Sequence, residues 1–259
     1  MKNILFRSLI GLAVSVASLS AGSVGFYNAG NANAAQVSAA IVAAGQTAVQ
    51  LTDLSAASLA SVPVVWILNG NNSAYGVAIT GAVSDISMYV GGGGVLSFHD
   101  RFVTGAASIL PGAAGVIFTR DFSDDANINV LNNTTLVTNG PGGIVDNFTL
   151  DGGSSSSHGY ADISSLPAGA IAILSQGNAN HVVDFSYRFG AGAVYYSTIP
   201  LDFYFVPAGA NGASFRNIYA PNEVAYQASL AGAQIPEPST IILLSAGLLG
   251  TAFLRRRRA

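Results

Sequence analysis

Short apolar runs alternate with small-residue helical patterns through the first half of the chain. Val24 to Asn28 (VGFYN) predicts a strand, Ala29 to Asn33 a Gly/Asn loop, and Ala34 to Ala44 a helix with Val37, Ile41 and Val42 as its apolar positions. Gly45 stands where a helix C-terminal cap belongs. Thr47 to Leu51 predicts a second strand, Ser55 to Leu59 a short helical turn, and the apolar Val62 to Leu68 a third strand. Asn69-Gly-Asn-Asn72 interrupts the chain, and Asn72 or Ser73 is placed to cap a helix running towards Val90. Gly91 to Gly94 end that helix, and Val95 to Phe98 predict a fourth strand that stops at His99-Asp100-Arg101.

Strands that alternate with helices and are apolar on both faces must be covered on both faces. The pattern therefore predicts an α/β domain over residues 23–230, with a single open, mostly parallel sheet of the flavodoxin-like kind. The second half is looser. Gly115 to Arg120, Ala170 to Leu174, His181 to Tyr187 and Val194 to Ile199 predict strands. Asn/Gly/Ser-rich loops separate them, notably Asn132 to Gly143 and Asp151 to Gly159, and Asn222 to Leu230 predicts a closing helix.

Composition narrows the setting. Only 9% of the 259 residues are charged, against about 25% in ordinary globular chains. Residues 23–235 hold four arginines (Arg101, Arg120, Arg188, Arg216), no lysine and twelve acids, a formal charge of −8. That surface repels phosphate backbones and argues against nucleic acid as a partner. Cysteine is absent, which excludes disulfides, thiolate metal sites and a cysteine nucleophile.

Both ends carry export information. Lys2 and Arg7 flank the start of an apolar run, Ile4 to Leu19, so residues 1–22 read as a secretory signal peptide. Ser20-Ala21-Gly22 lies at the usual distance for cleavage; Ala32-Asn33-Ala34 is a better A-x-A match but lies far downstream. Cutting after Ala34 would discard the first strand and leave its crossover helix without a parallel partner, so cleavage near Gly22 is expected. At the other end a short spacer, 231–235, leads to the triplet Pro236-Glu237-Pro238, an apolar run over about 239–254, and Arg255, Arg256, Arg257 and Arg258. As a helix, roughly 16 residues span about 24 Å against a hydrocarbon core of about 30 Å, a gap that snorkelling arginines and local thinning can cover. The arginine cluster keeps its end cytoplasmic and places the body across the membrane. Triplet, apolar run and cluster resemble the PEP-CTERM tail. The resemblance implies exosortase and the inner membrane as partners and cleavage near the triplet. The apolar run is then a temporary handle, and the final location is the cell envelope or beyond.

A second resemblance covers most of Val24 to Tyr204. A strand and helix followed by YVGGGGVLSFH, within Val62 to His99, and RFGAGAVYYS at 188–197 are similar to class I glutamine-amidotransferase-like domains, closest to the trehalose-utilisation-type branch. The resemblance implies an amidotransferase-like fold. It also speaks against amidotransferase activity, because the cysteine nucleophile is missing and no His-Pro pair follows downstream.

Three strand ends are polar: Asn28 with Asn31; Asn69 with Asn71 and Asn72; and His99-Asp100-Arg101. In an open α/β sheet, ligands bind beyond the carboxyl ends of the strands, and neutral amides with one His, one Asp and one Arg suit a hydroxyl-rich ligand. The plainer reading has the asparagines capping helices and turning loops. His99 and Asp100 are the candidate catalytic pair. Asp121, Ser123, Asp125, Asn127 and Asn129 put oxygens at alternate positions, making Asp121 and Asp125 candidate calcium ligands. Ala126 stands in the place of the required glycine, however, and Asn132 in that of the bidentate glutamate. No other cofactor is expected. Taken together, the sequence predicts an exported, exosortase-processed envelope or exopolysaccharide-associated protein with a non-catalytic binding or structural role. The alternative is a carbohydrate-active enzyme using His99 and Asp100, with polysaccharide as the candidate partner in both.

Overall fold

Ser23–Asn28 form β1 and hydrogen-bond in parallel register to Thr47–Gln50, β2, on one side and Val64–Asn69, β3, on the other. This is a computed structural model, and it describes residues 22–153, 155–206 and 212–232. The tail from Pro236 to Ala259 and the signal segment before Gly22 lie outside the described residues. Among those that are described, no helix is long and apolar enough to cross a membrane.

The crossover between β1 and β2 is α1 (Ala34–Ala43), whose first turn is capped by Asn33 Oδ1 accepting from the N–H groups of Ala35 and Gln36. Ser55 caps α2 (Ala56–Ala60) in the same way. The long helix expected from Asn72 is shorter and broken. It begins at Val77 after Gly76, as α3 (Val77–Gly81), and restarts as α4 (Val83–Gly91). Asn71 accounts for the delayed start: its Oδ1 accepts from the Ser73 N–H at 2.9 Å and so makes a turn where a cap was expected. Gly81 and the β-branched residues around it weaken the helix at the break.

β4 (Val95–Asp100) follows, parallel to β3 and running two residues beyond the expected end. Four short strands come next: β5 (Phe118–Thr119), β6 (Ile128–Val130), and the hairpin of β7 (Asn139–Gly140) and β8 (Gly143–Ile144). β9 (Tyr160–Asp162), β10 (Ile171–Gln176), β11 (His181–Phe189) and β12 (Gly192–Ser197) complete the strands. The main path runs β2-β1-β3-β4-β12-β11-β10-β6. From β2 to β4 all neighbours are parallel, as the apolar runs predicted; β12 joins β4 in parallel as well, and from β12 outward the neighbours are antiparallel.

Alternation along the strands sends side chains to two cores. Val64, Trp66 and Leu68 of β3, with Tyr195 of β12, pack under α1 and the C-terminal helices. Those helices are α5 (Leu201–Tyr204), α6 (Gly212–Ser214) and, after a π-helical turn at Phe215–Tyr219, α7 (Ala220–Gly232). On the opposite face Val65, Ile67, Leu96, Phe98 and Tyr196 pack under α2, α3 and α4.

Candidate functional site

The strand order β2-β1-β3-β4 reverses between β1 and β3, which makes the carboxyl ends of those two strands the switch point of the sheet. An open depression of about 430 Å³ lies there, lined by Gly30, Asn31, Gly70, Asn71 and Asn72. The two loops that line it pack closely. A Cβ on Gly70 would stand 2.6 Å from both the Gly30 Cα and Asp202 Oδ2, so two glycines are what lets these loops meet over the Asp202 carboxylate. Arg101 holds that carboxylate at 3.1 Å and also donates to the Gly70 carbonyl at 3.3 Å. Asn28 is spent on its own loop: Nδ2 donates to the Ala32 carbonyl at 2.7 Å and Oδ1 accepts from the Gly30 N–H at 3.1 Å.

His99 and Asp100 are neighbours in β4 and therefore point to opposite faces; the structure does not bring them together. Asp100 is fully buried and serves the loop after it. Its Oδ1 accepts from Asn69 Nδ2 at 3.0 Å and the Phe102 N–H at 2.8 Å. Its Oδ2 accepts from the Tyr75 hydroxyl at 2.6 Å, the Val103 N–H at 3.0 Å and the Tyr196 hydroxyl at 3.2 Å. These bonds hold buried Val103 at φ 59°, a conformation costly for a β-branched residue. Burial raises the Asp100 pKa above the carboxylate norm, against the pull of its donors.

On the other face His99, 1% exposed, meets α7. Its Nε2 lies 2.8 Å from both carboxylate oxygens of Glu223, and its Nδ1 donates to the Ile199 carbonyl at 2.9 Å. Burial alone would lower the pKa of this ring; the Glu223 carboxylate and the Ile199 carbonyl overcome it, and the pKa lies above the ordinary histidine value. Ser97 donates to Glu223 Oε1 at 2.9 Å, and Gln227, one turn along α7, donates to both Glu223 and Ser97. Beside them Asp184 Oδ2 accepts from the Tyr195 hydroxyl at 2.8 Å and the Tyr219 hydroxyl at 2.7 Å, and burial pushes its pKa up to about 6. Every side chain in this network is at most 3% exposed. A histidine between a carboxylate and a carbonyl has the makings of a proton-transfer pair, but here it joins the sheet to α7 inside the core.

The calcium candidates are engaged locally. Asp121 accepts from the Ser123 N–H at 2.8 Å and its hydroxyl at 3.0 Å, and Asp125 Oδ2 accepts from Ser155 Oγ at 2.9 Å. Among the described residues no group of three His, Asp or Glu is placed to hold a metal ion. Sequence reasoning did not single out Glu223. Its one signal was that it is the only acid in an otherwise uncharged closing helix. Nor did it group Arg120 and Phe122 with His158 and Phe203, which lie far along the chain from them and line the same second concavity beyond Arg101.

Comparison with solved structures gives likenesses of fold alone. The cytoplasmic protein STM3548 of Salmonella typhimurium superposes with a TM-score of 0.54 at 13% identity, over 80% of this chain and 98% of that one. A Thermoplasma acidophilum protein named for GMP synthase gives 0.47 at 14% identity, over 82% and 97%. The exo-β-1,4-mannosidase Op5Man5 of Opitutaceae bacterium strain TAV5 gives 0.45 at 14%, over 83% of this chain and 36% of that one. No curated protein matches the sequence. Residues 234–258 match the PEP-CTERM protein-sorting motif, so the chain carries the signal of an exported protein that is held briefly at the membrane and processed by an exosortase.

Proposed function

We propose that residues 23–230 form a non-catalytic body, delivered to the cell envelope or its surroundings, whose role is binding or matrix structure. The sorting motif at 234–258 is the observation that carries the reading. Three features of the body support it. The chain has no cysteine nucleophile. The candidate pair His99 and Asp100 is divided between the two faces of the sheet, each residue buried among structural partners. The switch-point depression is open and lined mainly by glycine backbone and the asparagines Asn31, Asn71 and Asn72, so it is polar and suited to surface contact with a hydroxyl-rich ligand. Signal-peptide cleavage near Gly22 belongs to the same reading, because β1 begins at Ser23 and lies between two neighbours.

A glycan array and a hydrolysis screen on the purified body, run beside His99→Ala, test this directly. Glycan retention without turnover is expected, with His99→Ala losing stability and retaining binding wherever it folds. Turnover that disappears in His99→Ala while the variant keeps its fold would establish the enzyme instead.

A further inference from the structure

Two of the body's four arginines converge on one pocket. Arg101, from the end of β4, and Arg120, from the end of β5, line a concavity of about 280 Å³ together with Asn72, Phe122, His158 and Phe203. Small-ligand sites begin near this size, about 300 Å³. The two guanidiniums are not equivalent. Arg101 is paired with the Asp202 carboxylate, which neutralises it. Arg120 is exposed, and neither of the two ion pairs among the described residues includes it. Its bond goes from Nη2 to the neutral Asn72 Oδ1 at 3.2 Å, and its guanidinium carbon sits 5.0 Å from the centre of the Phe122 ring. The pocket thus holds one uncompensated positive charge in a body whose formal charge is −8.

The other lining groups are neutral or apolar. Phe122 is 45% exposed and Phe203 38%, large apolar rings left open at the rim in a protein that buries most of its aromatics. His158 is 4% exposed and packs edge-on against Phe122, with ring centroids 5.2 Å apart. Its Nδ1 donates to the Arg101 carbonyl at 3.2 Å. Burial, helped by the Arg101 charge, lowers its pKa to about 4, so at neutral pH the ring is uncharged and Nε2 is an acceptor. One free guanidinium fits a singly charged carboxylate better than a phosphate dianion, and its planar fork matches the carboxylate geometry. Exposed rings beside neutral acceptors fit a ligand with apolar faces and hydroxyl donors.

We propose that this pocket binds a hydroxylated carboxylate the size of one sugar ring, a uronate residue, with Arg120 taking the carboxylate and Phe122 and Phe203 flanking the ring. The proposal rests on the binding role put forward above and gives that role a ligand class and a second location, which adjoins the switch-point depression at Asn72. A uronate can arrive as the free acid or as part of a polymer, so both are used as probes.

The test is calorimetric titration of the full chain in detergent with glucuronate, trigalacturonate and glucose, for the wild type, Arg120→Gln and Phe122→Ala. Both substitutions are at exposed positions, and unchanged melting temperatures confirm that the variants are folded. Binding of either uronate, weakened at least tenfold by Arg120→Gln and also by Phe122→Ala, with glucose silent, is expected. Trigalacturonate bound through these residues makes a polymer the source, and glucuronate bound alone makes it the free acid. The assignment is overturned if neither uronate binds, if binding ignores both substitutions, or if glucose binds equally well. Neutral glycans bound equally by wild type and Arg120→Gln would overturn this site and leave the binding role standing. An array on which no glycan at all is retained removes binding as the role.

Discussion

Replacing Glu223 by alanine is expected to destabilise the body by about 3–5 kcal/mol, the cost of removing one partner from a buried pair. The residue is fully buried and takes hydrogen bonds from Ser97 and Gln227 as well as facing His99 Nε2 through both oxygens. Its loss leaves His99 Nε2 without a partner and the Ser97 hydroxyl without its acceptor in the core between the sheet and α7, and urea melts on the processed body measure the effect. The change should also alter the pH profile. In the wild type the His99 pKa is raised in the folded state, so its contribution is complete below about pH 6.5, the unfolded value, and is lost as pH rises through the folded value. Without Glu223 burial governs, the ring favours its neutral form, and that loss on the alkaline side disappears. A loss under about 1 kcal/mol, no more than an exposed ion pair is worth, with an unchanged profile above pH 6.5 would show that the pair does not join α7 to the sheet.

A chain beginning at Ala35 is expected not to fold, whereas one beginning at Ser23 melts cooperatively. Starting at Ala35 removes β1 and with it both of its parallel ladders, to β2 and to β3. It also removes the side chains of Val24 and Phe26, each 1% exposed, and Asn33, the cap of α1. Burying two such apolar side chains contributes roughly 1.5–3 kcal/mol each, and a lost cap costs about 1 kcal/mol. With the ladders added, the total approaches the roughly 5–15 kcal/mol that holds a domain together. β2 would be left as a detached strand and β3 as a long apolar edge, a pairing hazard. Circular dichroism melts of the two chains decide the matter; equal, cooperative transitions would mean that β1 is dispensable and would reopen cleavage after Ala34.

The parallel half of the sheet was legible because its strands are apolar on both faces and each is followed by a helix or a glycine turn. Val64 to Leu68 and the glycines after Val90 are examples. The antiparallel half was only partly legible. β10, β11 and β12 are long enough to show an apolar run, but β6, β7, β8 and β9 are two or three residues long, too short for any period to register. The polar strand ends were found, yet their meaning depended on alternation. Once β4 extends through Asp100, His99 and Asp100 must diverge, and His99 finds its partner 124 residues away on α7. Distance along the chain likewise hid the Arg120 pocket. The sorting tail was the most legible stretch, because its signal is local and compositional and needs no fold to be read.

The intact mass of the mature protein, recovered from the producing cells and their surroundings, tests the central claim most directly. The mature chain is expected to start close to Ser23 and end near Pro236-Glu237-Pro238, without Arg255 to Arg258, while a variant with the triplet replaced by alanines keeps its tail and stays with the membrane. A wild-type mass that still includes Arg255 to Arg258, unchanged by the triplet replacement, would contradict processing at the triplet and make the apolar run a permanent anchor.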